Sequence, residues 1–187
     1  MRLFVAVNPG EPLRDAVTPW LDDLRVRWDL KWVEPRNLHV TLRFLGEMSE
    51  DRLPALREAL PAAARRRHAF TVRPAGVGAF PNFGRPRVLF LQLDDGGRLS
   101  DLAASVEIEL ARRLPGELAE PGPFRPHLTL GRVRRGDARR RPAGPNDLAA
   151  PDLPEFTVGS IELFASRLTP QGPIYRSQGV FPLAAPR

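Results

Sequence analysis

Leu38-His39-Val40-Thr41-Leu42-Arg43-Phe44-Leu45 reads as a β-strand with a histidine at its head. Nearly half a chain later Pro126-His127-Leu128-Thr129-Leu130-Gly131-Arg132-Val133 repeats the frame His-x-Thr-Leu. The chain holds 3 histidines, and the two frames use two of them. Side chains two apart on a strand share a face. His39 and Thr41 therefore project together, as do His127 and Thr129, while Val40, Leu42, Leu128 and Leu130 point into a core. The two strands read as two halves of one site. Strict alternation also puts Arg43 on the face of His39, Phe44 with Val40 and Leu42 in the core, and Arg132 on the core-facing side with Leu130. Arg132 reaches the histidine face only if the strand bulges or ends at Gly131.

Working outward from the first frame, Arg2 to Val7 reads as a strand closed by Asn8-Pro9-Gly10. Leu13, Val17, Trp20, Leu21, Leu24 and Trp28 recur at helical spacing. Trp32 and Val33 read as a short extended piece before the turn Glu34 to Asn37. Leu53, Leu56, Leu60 and Ala63 mark a second helix with Ser49 as its N-cap. Phe70 to Val77 and Val88 to Leu93 read as strands flanking a loop from Ala79 to Arg87. Leu99, Leu102, Val106 and Leu110 make a third helix. Beyond the second frame, 134–145 reads as a basic, mobile loop. Phe156 to Phe164 and Ile174 to Val180 are the last strands. Short turns between mixed elements predict an α+β fold with mainly antiparallel sheets.

At 187 residues the chain is read as one domain, large enough for a substantial core. With 0 cysteines, disulfides, thiolate chemistry and Cys-type zinc sites are excluded. No apolar run reaches the roughly 18 residues of a membrane span, and no secretory leader is evident, so a cytoplasmic protein is expected. The formal net charge is +6. Every basic residue except Lys31 is an arginine, and the blocks Arg65-Arg66-Arg67, Arg132 to Arg135 and Arg139 to Arg141 suit a polyanionic partner or a solvated basic loop.

Two imidazoles flanking one substrate can act as acid and base in the same step near neutral pH. A threonine hydroxyl beside each can donate to a phosphate oxygen, and a nearby arginine can neutralise charge gathering on phosphorus. That set fits phosphodiester chemistry without a metal. Neither frame has a carboxylate cluster beside it, and the chain lacks the phosphate-cradling Gly-x-x-x-x-Gly-Lys and the Gly-x-Ser-x-Gly of a serine nucleophile.

The two frames resemble the paired signatures of the two-histidine (2H) phosphoesterases. More narrowly, they are similar to the RNA 2′,3′-cyclic phosphodiesterase branch (LigT-like, ThpR, also called 2′-5′ RNA ligases). Arg2 to Val7, Arg87 to Leu91, Leu163 to Ser166 and Gly172 to Tyr175 match that branch in order and spacing. The resemblance implies a bilobal α+β fold, pseudo-two-fold, with two mainly antiparallel sheets, helices packed outside and a central cleft. It implies hydrolysis of RNA 2′,3′-cyclic phosphate ends, tRNA fragments among them, to 2′-phosphomonoesters without a metal or other cofactor; a monomer is expected because no exposed apolar seam is evident in the sequence. Residue by residue, it implies His39 as acid and His127 as base, Thr41, Thr129 and Arg132 on the phosphate, and Arg43, Phe44 and Tyr175 as further substrate contacts. The nearly identical frames leave the polarity of the two histidines open in the sequence. Reversible 2′-5′ RNA ligation and opening of small cyclic nucleotides use the same groups, and an RNA-end-binding module is the non-enzymatic alternative.

Overall fold

The computed structural model describes residues 1–133, 142–170 and 172–185. The strands are β1 (Arg2–Val7), β2 (Lys31–Trp32), β3 (Val40–Glu47), β4 (Phe70–Phe80), β5 (Val88–Asp94), β6 (His127–Arg132), β7 (Phe156–Val158), β8 (Ser160–Thr169) and β9 (Gly172–Pro182). The helices are α1 (Glu11–Arg27), α2 (Leu53–Ala64) and α3 (Arg98–Arg113). Two antiparallel sheets form, in the orders β3-β1-β8-β9 and β2-β6-β5-β4-β7. Each contains one motif strand paired to the strand that precedes its helix: β1-α1-β3 in the first sheet and β5-α3-β6 in the second. The two units are pseudo-symmetric, and β3 and β6 meet where the sheets adjoin.

The helices form where the apolar spacing predicts. Leu13, Val17, Leu21 and Leu24 of α1, Leu56 and Leu60 of α2, and Leu99, Leu102, Val106 and Leu110 of α3 are all fully buried. At about 1.5–3 kcal/mol for each large apolar side chain, this burial dominates the stabilisation. One continuous core joins these helix faces to both sheets. α3 follows a strand of the second sheet yet packs against β3 of the first, and α2 lies on α3 and against β8 and β9. The buried Glu109 of α3 pairs with Arg66 at 2.7 Å and Arg112 at 3.1 Å, and Arg67 donates to Ser105 at 2.9 Å. Two arginines of the triplet read as a polyanion-binding block are thus committed to helix packing.

Several boundaries differ from expectation. β3 begins at Val40, so His39 lies just ahead of it. β4 runs on to Phe80, which takes Ala79 and Phe80 out of the expected loop. The strand read over 156–164 is two: β7 closes the second sheet, and after Gly159 β8 enters the first. Ser49 does not cap the second helix. It precedes a 3-10 turn over Glu50–Arg52, and its hydroxyl bonds Asp51. The expected basic loop falls largely on 134–141, outside the described residues. Among the described residues, no helix is long and apolar enough to cross a membrane.

Candidate active site

The site is shaped by bulges that strict alternation does not foresee. In β3, Thr41 pairs with Ala6 and Arg43 with Val5, which leaves Leu42 unpaired. Phe44 then pairs with Phe4 and Gly46 with Leu3, which leaves Leu45 unpaired. In β6, Thr129 pairs with Phe90 and Gly131 with Leu89, which leaves Leu130 unpaired. Directly opposed residues share a face, and an extra residue switches parity beyond it. The bulge thus falls on the leucine of both frames, and it carries the residue three past each threonine onto the histidine face. That residue is Phe44 in one half and Arg132 in the other.

The consequence for Phe44 and Arg43 is an exchange of places. Phe44 is 61% exposed, not in the core, and its ring lies 6.1 Å from that of Phe4. Arg43 turns away from the histidine face toward α3, where its Nε pairs with Glu107 at 2.8 Å and its guanidinium donates to the Ala119 carbonyl. It braces β3 against α3 and does not share the face expected of it beside His39. Arg43→Ala removes an ion pair that is 12% exposed on the arginine side and 33% on the glutamate side. We expect a loss of about 2 kcal/mol, read as a fall of roughly 4–8 °C in Tm on thermal melting.

Each histidine is held alike. Nδ1 of His39 lies 2.7 Å from the Asn37 carbonyl, and Nδ1 of His127 lies 2.6 Å from the Arg125 carbonyl. A carbonyl only accepts, so Nδ1 carries the proton in both rings. In the neutral form Nε2 then bears the lone pair, and in the cation it bears the transferable proton. Aromatic rings wall each imidazole: Phe4 at 5.0 Å and Tyr175 at 5.3 Å around His39, Phe80 at 5.0 Å and Phe90 at 5.4 Å around His127. Phe4 of β1 lies opposite Phe44 and Phe90 of β5 opposite Thr129, so the two rings reach their histidines from different register positions. Together with Phe80 they are site-wall residues that sequence reading missed, because a run such as Leu3-Phe4-Val5 gives no sign that its two faces differ.

Burial, foremost, lowers the pKa of both imidazoles, and the bonds to the carbonyls only partly oppose it. Repulsion from His127, Arg132 and Arg14 lowers His39 further, and repulsion from Arg132 lowers His127. Burial raises the Tyr175 hydroxyl pKa against the pull of Arg132 and Arg2. The charge of Arg132 therefore reaches His39, His127 and Tyr175, and that of His127 reaches His39: these groups share one site. Arg14 and Arg2 are further cations at this site absent from the sequence reading. Thr41 and Thr129 share the histidine face, and neither hydroxyl has a hydrogen-bond partner among the described residues. Among those residues no three His, Asp or Glu side chains gather as a metal-binding group.

The LigT-like phosphoesterase family model matches residues 7–90 and 96–175. A protein of Archaeoglobus fulgidus named RNA 2′,3′-cyclic phosphodiesterase is 38% identical over 97% of this chain and 99% of its own length. One of the same name from Thermus thermophilus is 39% identical over 94% and 86%. Among solved structures, one from Thermus thermophilus superposes with a TM-score of 0.79 at 34% identity, covering 98% of both chains. E. coli LigT complexed with 3′-AMP superposes with a TM-score of 0.77 at 28% identity over 97% of each. With both motif strands inside the matched region and relatives of this similarity along nearly its whole length, the chain belongs to the LigT-like phosphoesterase family.

Proposed function

We propose that this protein hydrolyses RNA 2′,3′-cyclic phosphodiester ends to 2′-phosphomonoesters by a metal-independent, two-histidine mechanism, as a monomer. The observation that carries this reading is the matched pair of Nδ1-anchored imidazoles, with both Nε2 atoms left for substrate in a site whose central cation is Arg132. The names of the relatives support the substrate class. The E. coli neighbour with 3′-AMP supports a site that accepts a nucleotide phosphate.

In the proposed step, Nε2 of neutral His127 takes a proton from water as its oxygen attacks phosphorus. The P–O3′ bond breaks, and Nε2–H of protonated His39 gives its proton to the departing O3′. The products are a ribose 2′-phosphate and a free 3′-hydroxyl. Arg132, Thr41 and Thr129 stabilise the charge that builds on the non-bridging oxygens. Repulsion from Arg132 and Arg14 makes the His39 imidazolium a readier proton donor than a free imidazolium. The bound phosphate supplies the negative charge that favours that imidazolium. Phe44, exposed beside the site, offers a stacking surface for the terminal base, and Tyr175 fixes the edge of His39.

The test is product chemistry. In EDTA, a short RNA with a 2′,3′-cyclic end should become a 2′-phosphate end; a requirement for added metal, or a 3′-phosphate product, would refute the proposed step. A pH dependence also follows. The active free enzyme carries one proton on the pair, and both pKa values lie below the ordinary histidine value of about 6.5. Protonation of the base cuts activity at low pH and loss of the acid's proton cuts it at high pH. The bell of kcat/KM should therefore peak on the acid side of about 6.5. A peak above about pH 7.5 would contradict this.

A further inference from the structure

Beyond Arg132 the second sheet continues for two residues. Lys31 of β2 pairs directly with Arg132, and Trp32 with Gly131. Arg132 is on the histidine face, so Lys31, directly opposite, extends that face by one strand. Trp32 turns to the other side, where a Cβ on Gly131 would sit 3.0 Å from the indole. Two like charges directly opposite on neighbouring strands, with Cβ atoms about 5 Å apart, repel and destabilise the pair. Neither Lys31 nor Arg132 has an acidic partner among the described residues, although the chain meets such repulsion elsewhere with carboxylates, as at Arg66, Glu109 and Arg112. Lys31 is also the single lysine of a chain that otherwise uses arginine. An exposed cation one strand beyond the phosphate-facing arginine, with no ion pair to either among the described residues, is what a second phosphate would stabilise.

Next to Lys31 is a hollow of about 620 Å³ between the end of α1, β2 and the β8–β9 turn, walled by Trp28, Trp32 and Pro170. Asp29 and Glu34 also line it, which makes it a poor place for a phosphate, and Arg25 there is held by Asp22 at 2.7 Å and Glu34 at 3.4 Å. Aromatic walls with polar edges suit a nucleobase. We propose that Lys31 holds the internucleotide phosphate one step upstream of the reacting cyclic end, with the upstream base passing round the edge of β2 into the hollow that Lys31 also lines. The site then selects an RNA chain over a cyclic mononucleotide. This inference rests on the function proposed above and adds a specificity-determining residue to it.

Because Lys31 carries the only ε-amine, acylation by an N-hydroxysuccinimide acetate, resolved by peptide mass spectrometry, reads this one position on the wild-type protein. A tetranucleotide RNA ending in a 2′-phosphate should slow acylation of Lys31 at least about fivefold, while a nucleoside 2′-monophosphate at saturation should slow it less than about twofold. No protection by the tetranucleotide, or equal protection by both, would overturn the assignment. In turnover, Lys31→Gln should lower the ratio of kcat/KM for a cyclic-ended tetranucleotide to that for a 2′,3′-cyclic mononucleotide about tenfold. It should also flatten the log–log salt slope on the tetranucleotide by about 0.7, the share of one single-strand phosphate. An unchanged ratio and slope would overturn it as well. If the wild type turned over neither substrate, the proposed reaction would fail, and the acylation footprint would still decide whether Lys31 takes an RNA phosphate.

Discussion

Replacement of His39 or of His127 by alanine is expected to lower kcat on an RNA 2′,3′-cyclic end by about 10³-fold or more, with KM changed far less. The geometry argues for equal severity. Each imidazole is held by the same Nδ1 bond to the carbonyl two residues back and stands between two aromatic rings. Neither side chain belongs to the apolar core, so the loss should be chemical rather than structural, and the Tm of each variant should stay within a few degrees of the wild type. Asparagine at either position keeps a donor and a similar volume but cannot carry a proton between water and O3′, so it should rescue folding without rescuing turnover. Steady-state kinetics beside thermal melting checks all of this. If either single variant retained more than a tenth of the wild-type kcat, that histidine would have no part in proton transfer.

Arg132→Ala is the second large effect, about 10²–10³-fold in kcat/KM, because it removes the cation whose charge reaches both histidines and Tyr175. Most of that loss should fall on kcat if the arginine acts chiefly on charge that develops during attack on phosphorus. Loss of this charge also lifts one cause of the lowered histidine pKa values, so the pH optimum of the residual activity should move upward. Arg132→Lys keeps the charge but not the guanidinium fork and should recover only part of the rate. Arg43→Ala is the contrast. Its guanidinium is tied to Glu107 and the Ala119 carbonyl, so it should cost stability and leave turnover near the wild-type value.

That contrast also marks the limit of what the sequence discloses. The frames His39-Val40-Thr41-Leu42 and His127-Leu128-Thr129-Leu130 are legible because a polar pair on alternate positions is conspicuous against apolar neighbours. The face on which Arg43, Phe44 and Arg132 fall is not, because it depends on bulges at Leu42 and Leu130. Both leucines are buried, and both look like ordinary alternating core residues in the sequence. A signal was nevertheless present: a residue suited to nucleotide contact stands three positions after the threonine in each frame. Phe4, Phe80 and Phe90 were hidden for a related reason. Their strands are apolar on both faces, one against the core and one around a histidine, and hydrophobicity alone does not separate the two. The fold class followed from periodicity and turn residues. The crossing of the chain between sheets at Gly159 did not, since the apolar run continues through it from Phe156 to Phe164.

The division of labour between the two histidines is tested most directly with an RNA whose cyclic end has sulfur in place of the bridging O3′. A thiolate leaves without a proton, so the acid becomes dispensable and the base does not. The account predicts that this substrate restores turnover to His39→Ala by at least about 10²-fold relative to the oxygen substrate and does nothing for His127→Ala. Rescue of His127→Ala alone would reverse the roles of the two residues, and rescue of neither would contradict acid–base catalysis by the pair.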